Sequence, residues 1–206
     1  MISSKKQLAV ALSRLQSFEN PSVRLEQYPT DSEIAAEILW LGHQLGDIEN
    51  KIIADFGCGT GILGIGALMF SPKKVFFIDL DEKPLSKLKE NLQLMGFTKG
   101  FEEICQDVSS FSGKVDVIFQ NPPFGVKSEH ADRKFLEKAF FSADVIYSFH
   151  KLESQKFIES ISKDNGFKIT HFFRFDFPLK NSMSFHTKRI QRIEVGCWRL
   201  EKLGKI

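Results

Sequence analysis

After Asn50 the chain settles into a strict alternation of short apolar runs and stretches with helical periodicity. Ile52 to Phe56, Val75 to Ile78, Phe101 to Cys105, Val115 to Gln120 and Val145 to Ser148 read as strands. Ile62 to Phe70, Leu85 to Met95, Lys134 to Phe141 and Glu153 to Asn165 read as helices, with Gly96 and Gly166 placed to close two of them. Strands separated by helices pair in parallel, because a parallel neighbour is reached only through a crossover. The alternation therefore predicts a doubly wound, Rossmann-like α/β sheet.

Both ends depart from this pattern. Lys168 to Phe177 alternates, with Phe173, Phe175 and Phe177 on one face against Arg174 and Asp176, and Ile190 to Leu200 is a second long strand. Pro178 to Arg189 reads as the loop between them. Two consecutive strands with no helix imply a C-terminal antiparallel β-hairpin at the sheet edge, for seven strands in all. At the front, Leu8, Leu12 and Leu15 predict a helix from about Ser4 to Phe18, ended by Asn20-Pro21. A second helix follows Pro29, with Ile34, Ile38, Leu41 and Leu45 on one face and Gly46 past its end. The expectation is one domain over residues 1–206, divided into an N-terminal helical extension (1–49) and a core (50–206).

Composition narrows the classes. At 206 residues, 42% hydrophobic and 26% charged, the chain has the profile of a soluble globular domain with a proper core. A net charge of +2 provides no global polycation, so any surface for nucleic acid has to be local. The longest apolar stretch, Gly61 to Phe70, is laced with glycine and too short to span a bilayer. Cys58, Cys105 and Cys197 are odd in number and lack C-x-x-C spacing, which points to reduced thiols in a cytoplasmic setting and no zinc site within the chain.

In an open parallel sheet, ligands bind outside the carboxyl ends of the strands. Two loops there carry chemistry. The first is Asp55-Phe56-Gly57-Cys58-Gly59-Thr60-Gly61, whose glycines allow a tight turn and close approach of the backbone to a ligand. Gly59, Gly61 and Gly64 also satisfy the dinucleotide spacing of a nicotinamide enzyme. Asp55 argues against that reading, because a carboxylate beside a pyrophosphate is repelled by several kcal/mol in a medium of low dielectric. A cofactor with a cationic end and no phosphate, such as S-adenosylmethionine, fits better. Asp79 ends the second strand, where an acid accepts from ribose hydroxyls, and Asp107 follows the third, where an acid can accept from an adenine amine. Asp81 is equally placed to cap the next helix, and each acid taken alone reads as a solvated turn residue just as well.

The second loop is Asn121-Pro122-Pro123-Phe124. A nucleobase amine is planar and its lone pair is delocalised, so it attacks a methyl sulfonium poorly. Two acceptors, the Asn121 carboxamide oxygen and the Pro122 carbonyl, localise that lone pair and aim it, acting by preorganisation rather than basicity. The prolines stiffen the loop and Phe124 can stack on a base drawn out of its helix. The alternative is an ordinary Asn-Pro-Pro turn with a core phenylalanine.

With Asn121 to Phe124 after the glycine loop, the chain resembles class I S-adenosylmethionine-dependent amino-methyltransferases. Leu25-Glu26-Gln27-Tyr28-Pro29-Thr30, Asp47 to Lys51, Asn121 to Gly125, Tyr147 to Lys151, and Phe185-His186 with Lys188 resemble more narrowly the methyltransferase-like protein five family. That family N6-methylates an adenosine of small-subunit ribosomal RNA. The resemblance spans nearly the whole chain. It implies a class I methyltransferase sheet, with Gln27, Thr30, Gly57, Thr60, Ile62, Asp79, Asp107 and Val108 lining the cofactor site and Asn121 to Phe124 catalytic. It also implies a small zinc-binding activator subunit, which could dock by strand addition at an edge such as Phe101 to Cys105. Thr60 stands where the animal members carry Cys, and the tail Phe185-His186-Thr187-Lys188-Arg189 is less uniformly basic than theirs.

Three placements stay open at this level. Thr30 also begins Thr30-Asp31-Ser32-Glu33, a capping box, so its hydroxyl has two candidate roles. His150 and Lys151 either meet RNA phosphate beside the crevice or form a turn with a solvated lysine. Lys180, Phe185, His186, Lys188, Arg189 and Arg192 either hold RNA or form a solvated hairpin tip. The reading is an RNA N6-adenine methyltransferase. Its rivals are a guanine-N2 or protein-glutamine methyltransferase and a non-catalytic module that binds ribosomal RNA.

Overall fold

The computed structural model describes residues 2–18, 29–123, 131–179 and 191–204. Two helices, α1 (Lys5–Leu12) and α2 (Ser32–Gln44), precede the sheet. The alternation then runs β1 (Ile52–Phe56), α3 (Ile62–Leu68), β2 (Lys74–Asp79), α4 (Glu82–Leu94), β3 (Phe101–Cys105), β4 (Val117–Gln120), α5 (Ala131–Ser142), β5 (Val145–Lys151) and α6 (Gln155–Asp164). The hairpin β6 (Phe167–Leu179) and β7 (Gln191–Lys202) closes the chain. The seven strands lie in the order β3-β2-β1-β4-β5-β7-β6, parallel from β3 to β5, with β7 antiparallel to both of its neighbours. The doubly wound sheet and its antiparallel hairpin are as the sequence predicts.

Helices cover both faces. Leu8, Leu12, Ile38, Leu39, Ile65 and Leu88 pack with Phe77, Phe119 and Phe149 on one side, and Leu136, Phe140, Ile158 and Ile161 pack with Phe56, Ile118 and Trp198 on the other. Such parallel strands are buried on both faces, which explains why β1 and β4 read as unbroken apolar runs.

Two expectations shift. The buried face of α2 is Ala35, Ala36, Ile38, Leu39 and Gly42, and Leu45 is 41% exposed. The larger apolar residues suggested a neighbouring stripe. The observed one turns the small residues inward, and the α2–α3 approach is so close that a Cβ on Gly66 would lie 2.3 Å from Leu39. Second, β5 runs on to Lys151 because β7 pairs with it as far as Lys151↔Val195, which carries His150 into the sheet. The hairpin lies at the sheet edge as expected, and the order of its two strands, left open by the sequence, is set by the fold. Val195 to Leu200 is buried throughout and sits between β5 and β6, whereas β6 alternates and takes the outside.

Candidate active site

The register of the sheet brings the two loops together. Phe56 pairs with Ile78 on one side and Gln120 on the other. The next residue of each outer strand and of β1 is therefore Asp79, Gly57 and Asn121, level with one another across three adjacent strands about 4.8 Å apart. The chain order reverses between β1 and β4, so the two loops flank the switch point where an open α/β sheet has its crevice.

In the glycine loop, Gly57, Gly59 and Gly61 have φ of 65°, 55° and 92°, left-handed values that side chains rarely adopt. Gly57 N–H and Cys58 N–H both donate to the Ile78 carbonyl, which ties the turn to β2. A Cβ on Gly59 would lie 2.8 Å from the Phe18 ring, so the segment after α1 packs directly on the loop. The same segment is fastened by Asn91, which is fully buried. Its Oδ1 accepts from Gln16 N–H at 2.8 Å, and its Nδ2 donates to the carbonyls of Gln16 and Thr60. Thr60 is buried, and Gly61 and Ile62 open α3.

The acids are braced before any ligand arrives. Asp79 Oδ2 accepts from Gly59 N–H at 2.8 Å and Oδ1 from Asp81 N–H at 2.9 Å. Asp81 in turn caps α4, accepting from Lys83 N–H. Asp55, 2% exposed, accepts from Gly64 N–H at 2.8 Å in the first turn of α3. Burial above all pushes its carboxyl up to about 7, opposed by the Gly64 bond and reinforced by the charge of Asp79. Burial raises Asp79 as well, against the Asp81 and Gly59 bonds. Two closely placed acids held reluctant to ionise favour a cation above them. Asp107 is exposed, with its carboxyl held low by Ser109, and it caps the 3-10 turn Val108–Ser110, in which Val108 is buried.

Asn121 leaves β4 half-buried. Its Nδ2 donates to Thr30 Oγ1 at 2.9 Å, and its Oδ1 is buried with no hydrogen-bond partner among the described residues. Pro122 behind it is buried and Pro123 half-buried. The capping-box alternative for Thr30 does not hold. Asp31 caps α2, accepting from Glu33 N–H at 2.9 Å and Ile34 N–H at 3.4 Å. Thr30, 8% exposed, is left to face Asn121. No sequence pattern signalled this contact, which spans ninety-one residues.

His150 is corrected outright. At 1% exposure it cannot meet a phosphate. Its Nε2 lies 2.6 Å from Ser148 Oγ, which accepts from Gln120 Nε2 at 2.8 Å, and burial lowers its basicity below that of an ordinary histidine. Asp132 in the first turn of α5 lies 3.6 Å from its Nδ1, too long for a hydrogen bond. Lys151 ends β5 at the carboxyl edge and pairs with Glu153 at 3.4 Å. Gln27, Phe124, Lys180, Phe185, His186, Lys188 and Arg189 lie outside the described residues, as does the side chain of Arg192. The sequence reading also passed over Leu80, which follows Asp79 and is 61% exposed. A large apolar side chain held open beside two acids was visible in the sequence, but its exposure was not.

The glycine loop, the strand-end acids and the Asn-Pro-Pro turn at one switch point define a class I methyltransferase. Residues 34–145, more than half of the chain, match the methyltransferase small domain family. The chain is 34% identical to the zebrafish (Danio rerio) protein named rRNA N(6)-adenosine-methyltransferase METTL5, over 94% of this chain and 97% of that one. It is 36% identical to an uncharacterised protein of Methanocaldococcus jannaschii, over 97% and 95%. A crystal structure from Pyrococcus horikoshii, described as a candidate RNA methyltransferase, superposes with a TM-score of 0.90 at 44% identity, covering 98% of this chain and all of that one. The chain belongs to the METTL5 family of methyltransferases.

Proposed function

We propose that this protein transfers a methyl group from S-adenosylmethionine to N6 of an adenosine in ribosomal RNA, in the small subunit. The observation that carries the reading is the Asn121 carboxamide, with one end held by Thr30 and a buried oxygen left unpartnered among the described residues. A buried acceptor without a donor costs about 1–3 kcal/mol. A planar amine entering beside the glycine loop removes that cost by donating to it.

The residues present suit the cofactor. Asp55 and Asp79 favour a cationic, phosphate-free ligand over the glycine loop. Asp79 keeps lone pairs for ribose hydroxyls, Asp107 and Val108 face the place of an adenine edge, and Leu80 offers apolar surface to its ring. When bound, the cofactor supplies an electrophilic methyl group on sulfur. Asn121 Oδ1 and the Pro122 carbonyl accept the two N–H bonds of the amine, which draws its lone pair out of the ring and aims it. The nitrogen that forms the new N–C bond becomes acidic and releases its proton to water, so no carboxylate base is needed. Phe124, next in the chain, is assigned the stacking of the flipped base.

The hairpin supports an RNA substrate. Beyond the last β5 pair, Asp176–Leu179 and Gln191–Glu194 continue as a two-stranded arm past the carboxyl edge, roughly 13 Å at ~3.3 Å per residue. In sequence, the basic residues Lys180, His186, Lys188 and Arg189 fall between these two strands. At the far edge β3 pairs only with β2 among the described residues, which leaves it an outer strand to which a zinc-binding activator could add a strand. Three free cysteines fit a reducing, cytoplasmic setting. Among the described residues, no helix is long and apolar enough to cross a membrane.

The test is to incubate the purified protein with methyl-labelled cofactor and unmodified ribosomal RNA, then digest to nucleosides. Label in N6-methyladenosine is the expected result. Label in N2-methylguanosine, or in protein glutamine, moves the chain to another amine substrate. Cofactor binding without any transfer, even with an activator present, leaves an assembly module.

A further inference from the structure

Asn121 has an orientation problem that its own loop does not solve. The two ends of a carboxamide are nearly the same shape and differ only in hydrogen-bond sense. If Nδ2 faced the target amine, donor would meet donor and the lone pair would not be aimed. The useful state requires Oδ1 uncommitted and Nδ2 held elsewhere, and the structure has Nδ2 donating to Thr30 Oγ1 while Oδ1 has no partner among the described residues.

We propose that Thr30 is a positioning residue for Asn121, holding Nδ2 so that Oδ1 faces the substrate amine. This rests on the reading that Asn121 orients that amine. Thr30 is suited to the task in three respects. Its hydroxyl is not consumed by the helix start, because Asp31 supplies the α2 cap. It is 8% exposed, so water competes poorly for the amide. Its β-branched side chain has few rotamers, so the hydroxyl is held rather than swinging. It also arrives from the helical extension, which makes residues before β1 part of the catalytic geometry. Gln16, through Asn91, fastens the same extension to the glycine loop. One segment thus touches both sides of the crevice.

Thr30 also lies where the family resemblance places a cofactor contact, and the experiment separates the two roles. Thr30→Val keeps the shape and removes the acceptor, while Thr30→Ser keeps the acceptor. Methyl transfer is measured at saturating cofactor and RNA, and cofactor affinity is measured separately by calorimetry, with circular dichroism as a check on folding. The expected result is a fall in kcat of about 10- to 100-fold for Thr30→Val, the size of a slight misplacement of a catalytic group. Thr30→Ser restores most of it, and cofactor affinity changes far less than kcat. In an Asn121→Ala background, Thr30→Val then has little further effect on the residual rate. Full kcat in Thr30→Val overturns the proposal, as does a loss that saturating cofactor repairs, which marks Thr30 as a cofactor contact alone. Should Thr30→Val not fold, Thr30→Ala and Thr30→Ser are compared in the same way. Near wild-type rate in Asn121→Ala alone overturns the underlying reading of Asn121, and that variant is scored separately.

Discussion

Asn121 and Asp55 show two ways in which one side chain controls this site. On the proposed reading, Asn121→Ala removes the acceptor that aims the amine's lone pair, so methylation is expected to fall by orders of magnitude while calorimetric cofactor affinity stays nearly unchanged. A variant with near wild-type turnover on RNA removes Asn121 from the chemistry. Asp55 acts through charge. Its carboxyl is raised to about 7 from an ordinary 3.8, so the folded protein holds a proton that the unfolded chain has released. Its contribution to stability is therefore fully present below about pH 4 and is lost as pH rises through about 7. Asp55→Asn keeps an oxygen for Gly64 N–H but cannot ionise. The variant without ligand is expected to be more stable than the parent at pH 8 and to lose that advantage by pH 4, with an upper bound of about 4 kcal/mol for a change of this size. Urea unfolding of both proteins at several pH values measures the difference, and a constant offset contradicts the assignment. On the proposed reading the same variant is expected to bind a cationic cofactor less well, so that stability and function oppose each other at this residue.

Among the elements, the β6–β7 hairpin carries most of what was hidden in the sequence. Its strands were legible from the alternation of Phe173, Arg174, Phe175, Asp176 and Phe177, but their order in the sheet was not. Burial decides it: β7 presents Val195, Cys197, Trp198 and Leu200 with no exposed partner and can only be interior, whereas Phe172 is 42% exposed on β6. The β6–β7 extension beyond the last β5 pair sets up a test of RNA contact. Replacing Lys188, Arg189 and Arg192 with alanine is expected to weaken RNA binding and lower the slope of log affinity against log salt by about three units at most. Cofactor affinity should not move. A titration series with an unaltered slope places the RNA elsewhere, on the N-terminal Lys5, Lys6 and Arg14 or on the partner. His150 shows the converse, since its place after a strand suggested a surface and the extension of β5 by three residues to Lys151 made it internal.

At the scale of the whole molecule, a buried charge network joins the helical extension to the core. Arg199 on β7 grips Asp47, just after α2, with two bonds of 2.8 and 3.0 Å, and Tyr147 on β5 donates to the same carboxylate. Both charged side chains are under a tenth exposed. Asp47→Ala leaves Arg199 without its main counter-charge and is expected to cost about 3–5 kcal/mol. We expect the wild-type chain to unfold in a single transition. In Trp198→Phe, Trp40 on α2 is the only indole, so its fluorescence reports the extension while circular dichroism reports the sheet. Coincident curves support one domain, and an earlier fluorescence midpoint shows that the extension melts by itself.

The sequence by itself determined the alternation, the parallel sheet with its hairpin, the glycine turn and the acids at successive strand ends. All of these are local, since period, turn chemistry and strand-end position follow from residues within about ten of one another. Tertiary structure alone decided the placement of β7 inside β6, the burial of His150, the shifted face of α2, and the contact of Thr30 with Asn121. Each depends on which surfaces meet after the chain has closed on itself, and no periodicity encodes a partner ninety-one residues away. The chemistry of the loops could be read from residue types. The orientation that makes Asn121 useful had to wait for the fold, because an amide has two ends and only a neighbour distinguishes them.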